Sequence, residues 1–196
     1  MLVFTQDYIL QNEKVLLRPL MESDFELLLP YSENEPEIWQ YNAFGANGAE
    51  NLKKYIHTAL ENKKLQLEYP FAVIDKKTGK LIGSTRYYAI NQNYNHLEIG
   101  FTWYGKEYQG SYVNKNCKYL LLEFAFEKLN VSRVGFKANN ANLRSIQAMK
   151  SIGCQEEGIL RNFATDAKGQ RIDVIVLSIL QSEWQEEVKQ KLQSKI

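Results

Sequence analysis

The order of elements predicts an α+β fold with a strand–helix–strand unit at its centre. Three strand-like runs between Pro70 and Tyr104 are joined by short turns, which makes them an antiparallel meander. The apolar period then changes from two to the helical spacing at Val113. A further strand, a second helix and a closing hairpin follow within the last third of the chain.

In chain order, Tyr8–Leu10 and Val15–Pro19 flank Gln11-Asn12-Glu13-Lys14 as a first hairpin. Ser23 or Asp24 caps a short helix carrying Phe25, Leu28 and Leu29, and Pro30 limits it. From Glu33 to Gly48 the pattern gives short helical turns and loop. Leu52, Tyr55, Ile56, Ala59 and Leu60 recur at helical spacing in Asn51–Asn62. Pro70–Asp75 and Lys80–Ile90 are strands around Lys76-Lys77-Thr78-Gly79, and a turn at Asn91–Asn95 leads to His96–Tyr104. In this third strand Leu97, Ile99, Phe101 and Trp103 fall on one face, with Glu98, Gly100, Thr102 and Tyr104 on the other.

Val113–Leu129 is a helix packed on a sheet, with Cys117, Leu120, Leu121, Phe124, Ala125 and Leu129 on its apolar stripe. Ser132–Ala138 reads as a strand. Asn142–Ile152 is a second helix with Leu143, Ile146, Met149 and Ile152 on one side, ended by Gly153. Ile159–Thr165 and Ile172–Leu180 form a hairpin across Asp166-Ala167-Lys168-Gly169, and Ser182–Gln193 is a polar, amphipathic helix.

At 196 residues the chain reads as one domain, 1–196, with no repeat, low-complexity tract or linker dividing it. Its 24 Lys and Arg nearly balance 23 Asp and Glu, so no global field argues for a nucleic-acid partner, although a local basic pocket is compatible with that balance. Cys117 and Cys154 read as small buried hydrophobes of a reducing compartment, and no second ligand pair points to a metal. Met1–Asp7 lacks the basic and apolar regions of a signal peptide. No apolar run approaches the ~20 residues that span a bilayer, so no membrane partner and a cytoplasmic location are expected.

Two stretches are placed to hold an anion. Tyr104–Lys115 lies between a strand and a helix, where first-turn N–H groups and the helix dipole favour a phosphate. Gly110 lets the backbone approach closely and Ser111 adds a hydroxyl. Ala138–Ile146 repeats the arrangement, with Asn142 as N-cap and Ser145 within the first turn. Read bare, each is also simply a capped helix. Both helices follow strands of the central unit, so their ends can converge on one sheet edge as a ligand crevice. Glu98 is either a solvated strand carboxylate or, if its face lines a cleft, a general base. His57 and His96 lack catalytic companions, and Lys63-Lys64 and Lys76-Lys77 read as loop charges. Trp39, Tyr41 and Phe44 read as core or as a substrate-facing wall.

With these pieces in place, the chain resembles the GNAT superfamily of acetyl-CoA-dependent N-acetyltransferases, in the branch of ribosomal-protein N-terminal acetyltransferases. Leu16-Leu17-Arg18-Pro19-Leu20 with Asp24, then Glu98-Ile99-Gly100-Phe101 with Tyr108-Gln109-Gly110, carry its first half. Asn142-Leu143-Arg144-Ser145-Ile146 with Met149–Arg161, then Asp173–Leu180 closed by Glu183-Trp184, carry the second. The resemblance runs from about residue 15 to 184. In the family's usual loop Gln109 and Gly110 match, but Tyr112 stands where a second Gly belongs and Asn114 where Gly or Ala belongs. A tyrosine disfavours positive φ, so a departure of the loop is expected there.

The resemblance implies a mostly antiparallel mixed sheet flanked by helices, acetyl-CoA as cosubstrate without a metal, and direct attack of an amine on the thioester in a ternary complex. It implies that Gln109, Gly110, Ser111, Tyr112, Val113, Asn114 and Lys115 form the pyrophosphate loop. Backbone N–H groups around Phe101, Thr102 and Trp103 meet the pantetheine and polarise the carbonyl. Glu98 matches a base position, Ser145 a position beside the sulfur suited to an acid, and Asn142 one that holds the pantetheine arm. The implied acceptor is a protein N-terminus or another primary amine, on a monomer or homodimer. Competing readings are an aminoglycoside or polyamine acetyltransferase, for which Glu33, Glu35 and Glu37 are the sequence hint, and a CoA-binding sensor without turnover.

Overall fold

Val15, Leu17 and Pro19 are buried while Leu16 and Arg18 are only partly so, and this period-two burial makes Val15–Pro19 a strand with one face on a core. It is β2 of an eight-stranded sheet in a computed structural model that describes residues 2–41, 45–166 and 168–196. Phe44, Ala167 and Met1 lie outside the described residues. The other strands are β1 (Leu10–Gln11), β3 (Tyr69–Asp75), β4 (Leu81–Asn91), β5 (His96–Tyr104), β6 (Arg133–Asn139), β7 (Gln155–Thr165) and β8 (Arg171–Leu180). Their spatial order is β1-β2-β3-β4-β5-β6-β8-β7, and only β5–β6 is parallel. The expected first hairpin is present with its first strand displaced to Leu10–Gln11, and the closing hairpin starts earlier, at Gln155.

Helices cover both faces. α1 (Phe25–Asn34) and α2 (Ala49–Lys64) pack Leu28, Leu52, Ile56 and Ala59 over Ala72 and Trp103. On the opposite face α3 (Tyr112–Glu123), which runs on as a π-helix (Phe124–Lys128), buries Cys117, Leu121 and Ala125 against Phe71, Tyr87 and Leu97. α4 (Leu143–Ser151) contributes Ile146 and Met149 to the same core. A closing helical stretch, Gln181–Glu183 through π-helical Trp184–Val188 to Lys189–Gln193, buries Trp184, Val188 and Leu192. Among the described residues no helix is long and apolar enough to cross a membrane.

Three sequence expectations fail, each for a reason visible in the packing. Pro30 does not end α1, which continues to Asn34. A proline inside a helix forfeits one hydrogen bond at a cost of ~3 kcal/mol, but Leu28 and Ser32 on either side are wholly buried. The Ser32 hydroxyl also donates to the carbonyls of Ala46 and Gly48, which ties the turn beyond the proline to the start of α2. Leu143 is exposed, unlike the buried Ile146, Met149 and Ile152 with which the spacing groups it, because it is the first residue after the cap. In β5 the alternation breaks: Leu97, Ile99 and Tyr104 join the α3 core, whereas Phe101 and Trp103 join the α1–α2 core. Phe101 has φ +50°, and Phe101 and Thr102 both lie between the pairs Arg86↔Gly100 and Ser84↔Trp103. This is a bulge, which puts Phe101 and Trp103 on the Glu98 face and turns Thr102 to the opposite side.

Lys118 lies on the buried stripe of α3 with Leu121 and Ala125, 5% exposed, and its Nζ donates to Thr102 Oγ1 at 2.7 Å. Burial pushes its pKa down from 10.5 to about 8. The unfolded chain therefore binds a proton that the folded chain releases between pH ~8 and ~10.5, and stability rises with pH across that window. Below it the folded protein carries the whole cost of the buried ammonium. Replacing Lys118 by Met, which leaves the Thr85–Thr102 hydroxyl pair (2.7 Å) intact, is expected to raise stability by up to about 3 kcal/mol near neutral pH. The gain shrinks toward zero by pH ~10.5. Urea unfolding of both proteins at several pH values checks it; a gain that does not change with pH refutes the charge as its cause.

Candidate active site

β5 and β6 pair at His96↔Arg133, Leu97↔Val134 and Glu98↔Gly135, and among the described residues the ladder stops there although both strands continue. Past that point β5 holds only β4, and β6 holds only β8. The strands splay, and a cleft of about 640 Å³ opens between them. Phe101, Thr102 and Trp103 form its β5 edge, while Phe136, Lys137, Ala138 and Asn139 form its β6 edge. The Trp103 indole points away, against Trp39 in the α1–α2 core, so this residue offers the cleft its backbone. The Tyr55 hydroxyl donates to the Phe101 carbonyl at 3.3 Å and steadies the bulge.

The N-terminus of α3 faces the same opening. Gly110 has φ +72°, with nothing within 4 Å of where a Cβ would stand. Ser111 is the N-cap: its Oγ accepts from the Val113 N–H at 3.2 Å and donates to the Tyr108 carbonyl at 2.6 Å. Tyr112 is already helical, so no positive φ falls on it, and its hydroxyl donates to Asp75 Oδ1 at 2.6 Å, outside the cleft. The expected departure of the loop at Tyr112 is therefore corrected: only Gly110 needs the left-handed conformation. Val113 is fully buried and gives the site backbone alone. Asn114 and Lys115 line the cleft, and Asn114 Oδ1 accepts from the Tyr104 hydroxyl at 3.4 Å.

Across the opening, Asn142 caps α4 by accepting from the Ser145 N–H at 3.1 Å, and both residues line the cleft. The two helix ends are joined directly. Gln109 Nε2 donates to the Tyr104 carbonyl at 3.1 Å, and Gln109 Oε1 accepts from the Arg144 guanidinium. The predicted convergence of the two polar helix ends is thus observed.

Glu98 sits one layer back. Its side chain is 12% exposed, and Oε1 accepts from Lys137 Nζ at 2.8 Å. Its buried Oε2 makes no regular hydrogen bond among the described residues, and the Tyr88 hydroxyl is the polar group beside the carboxylate. Tyr88, Gly100 and Lys137 around it line the cleft, and Glu98 itself does not. The Tyr88 phenol is held protonated by burial and by the neighbouring Glu98 carboxylate. The alternating reading of β5, which grouped Glu98 with Thr102, is corrected by the bulge.

Lys115, Lys118, Lys137 and Arg144 line the cleft, and no carboxylate does among the described residues. A nearly neutral chain thus concentrates positive charge where a polyanion would lie. Lys118, Lys137, Tyr88 and Arg144 were not singled out by the sequence reading. Lys118 carried a signal, a lysine three and seven residues before the apolar Leu121 and Ala125. The aromatic stretch divides, with Trp39 buried and Tyr41 on the cleft wall. Of the acidic cluster, Glu35 accepts from the Lys106 N–H at 2.7 Å and Glu37 pairs with Lys106 Nζ at 2.5 Å. Cys117 and Cys154 are buried free thiols, and no group of described residues could hold a metal.

Comparison with known proteins agrees with this geometry. The family described as Acetyltransferase (GNAT) domain matches residues 14–155. The Bacillus licheniformis protein named "Uncharacterized N-acetyltransferase p20" is 28% identical over 176 residues, covering 89% of this chain and 97% of that one. The Bacillus subtilis protein named "Putative ribosomal N-acetyltransferase YdaF" is 31% identical over 179 residues, covering 90% and 96%. A solved GCN5-related N-acetyltransferase from Brucella melitensis superposes with a TM-score of 0.88 at 24% identity, covering 98% of this chain and 86% of that one. An anion-attracting cleft between splayed strands, on a chain matched by this family over most of its length, places the protein in the GNAT family of acetyltransferases.

Proposed function

We propose that this acyltransferase moves the acetyl group of acetyl-CoA onto the amine of a protein N-terminus, by direct attack within a ternary complex. The observation that carries the reading is the carboxylate-free cleft with two helix N-termini at its mouth and four cations on its walls. The relative named "Putative ribosomal N-acetyltransferase YdaF" supports the choice of acceptor by its name. Family membership makes acetyl-CoA the cosubstrate.

In this reading the first-turn N–H groups of α3, with Lys115 and Arg144, hold the pyrophosphate, and Gly110 leaves it room. The arm of the cosubstrate runs inward between β5 and β6, along the backbone of Phe101–Trp103, with Asn142 on its other side. N–H groups at the bulge stabilise the oxyanion that develops on the thioester carbonyl. Glu98 Oε2 takes the proton of the incoming ammonium through water beside Tyr88, while Lys137 holds the carboxylate in place through Oε1. The neutral amine forms the C–N bond, the C–S bond breaks, and the thiolate takes a proton from Ser145 or solvent. Tyr112 gives no support to a sensor without turnover, since its ring leaves the loop open. Lys106 engages Glu35 and Glu37, which weakens the case for a polycation acceptor.

Calorimetry with acetyl-CoA tests the cleft first, and no heat at high micromolar ligand refutes the enzyme reading. Gly110→Val forces a β-branched residue into the left-handed region at a cost of ~1–2 kcal/mol. It also crowds the pyrophosphate, so affinity for CoA is expected to fall about tenfold or more; unchanged affinity would mean that the loop is not the phosphate cradle.

Glu98→Gln is expected to lower kcat by ~10²-fold or more, to flatten the pH–rate profile and to leave CoA affinity intact. A wild-type profile removes Glu98 as base. A thiol-release assay over N-terminal peptides, polyamines and aminoglycosides selects the acceptor, and release with the small amines alone overturns the N-terminal assignment.

A further inference from the structure

Of the four cations on the cleft wall, Lys118 is the one sunk into the core. It is 5% exposed, yet it borders the cleft at the foot of the splayed strands. Its Nζ is 2.7 Å from Thr102 Oγ1, and Thr102 is the bulge residue between Phe101 and Trp103. Lysine reaches this point on a flexible four-carbon stem. The ionisable groups facing it are Cys117 on its own helix and Cys154 just before β7, with Tyr104 of β5 beside Cys117. Burial holds both thiols and the phenol in their neutral forms. Lys118 reaches the Thr102 hydroxyl, itself bonded to that of Thr85, and among the described residues it forms no ion pair.

We propose that Lys118 is an internal acetyl acceptor, and that the protein modifies itself there when an acetyl thioester occupies the cleft. The inference rests on the reading of the cleft as the acetyl-CoA site. The Lys118 nitrogen lone pair attacks the thioester carbonyl beside the bulge and a C–N bond forms. The C–S bond breaks, its electron pair leaves on sulfur, and the proton released from nitrogen goes to the thiolate. Lysine amine and thioester become acetyl-lysine and free thiol, with no other reactant.

Two physical factors favour the step. A lysine needs its neutral form to attack, and a pKa near 8 leaves roughly a tenth of the amine neutral at pH ~7. Acetylation also removes a cation that the core cannot pair, replacing it with an amide that can still donate to Thr102. Exposed lysines such as Lys64 have neither the depressed pKa nor a place in the cleft.

The test incubates the full chain with acetyl-CoA and no acceptor, and in parallel with S-acetyl-N-acetylcysteamine, a small thioester that does not need the pyrophosphate cradle. Intact mass and fragmentation locate the acetyl groups, and calorimetry measures CoA binding separately. One acetyl group on Lys118 is expected, formed faster as the pH rises through about 8 and lost in Lys118→Met. If CoA binds but neither donor labels Lys118, or label appears only on exposed lysines, the proposal is overturned while the cleft reading stands. If CoA does not bind but the small thioester labels Lys118, the amine's role is supported and the acetyl-CoA reading fails. Neither binding nor labelling overturns both.

Discussion

Among the described residues, the parallel ladder in the middle of an eight-stranded sheet ends at Glu98 and Gly135 although both strands continue. A strand edge left dry forfeits about one hydrogen bond for every second residue, and proteins avoid this inside a core. Here the outer neighbours hold the strands apart: β4 keeps β5 and β8 keeps β6 to their full lengths. The bulge at Phe101 bends β5 further from β6 and turns Thr102 toward α3. The opening between them is the cleft of about 640 Å³ that residues of both strands line. Fold and site therefore have one origin, the early end of the β5–β6 ladder.

The charge arrangement follows from the same opening. Lys137 on β6 alternates with the buried Phe136, while Lys115 and Arg144 come from the two helices whose N-termini the splay exposes. Gln109 ties these helices together, taking a guanidinium hydrogen bond from α4 while giving one to the end of β5. Arg144 is exposed and on a helix end, where an isolated charge would contribute little. Held by Gln109 beside two sets of first-turn N–H groups, it adds its charge to the positive ends of two helix dipoles at one opening.

Most of the architecture was legible in sequence because period and turn chemistry are local. The meander, the strand–helix–strand centre, the closing hairpin and both cleft-facing helix ends lie within a few residues of where their patterns put them. What was not legible is non-local. No residue type announces a bulge at Phe101, and without it the β5 faces are assigned wrongly from that residue onward. Pro30 looked like a stop because the tertiary contacts of Leu28 and Ser32 lie outside a local window. Tyr112 looked like an obstruction because a glycine in a motif is easily read as needing positive φ. In this chain the left-handed requirement falls on Gly110 alone, and position 112 needs only a side chain that can leave the cleft, which the Asp75 hydrogen bond provides.

The surroundings of Glu98 show a different use of glycine. Neither Gly100 nor Gly135 needs a left-handed backbone, so conformational freedom does not explain them. A Cβ on Gly100 would stand 2.5 Å from the Tyr88 ring, and one on Gly135 would stand 2.8 Å from Arg133 Nη1 and 3.0 Å from Glu98 Cγ. The first glycine lets the phenol lie across β5; the second lets the carboxylate lie across β6, where Lys137 reaches Oε1. Even an alanine at 100 would drive the ring aside, and a ring so displaced could no longer lie against the Glu98 carboxylate. The carboxylate's position is thus set by what its neighbours lack, and a glycine two residues after an acid on a strand can mark space reserved for a side chain from the next strand.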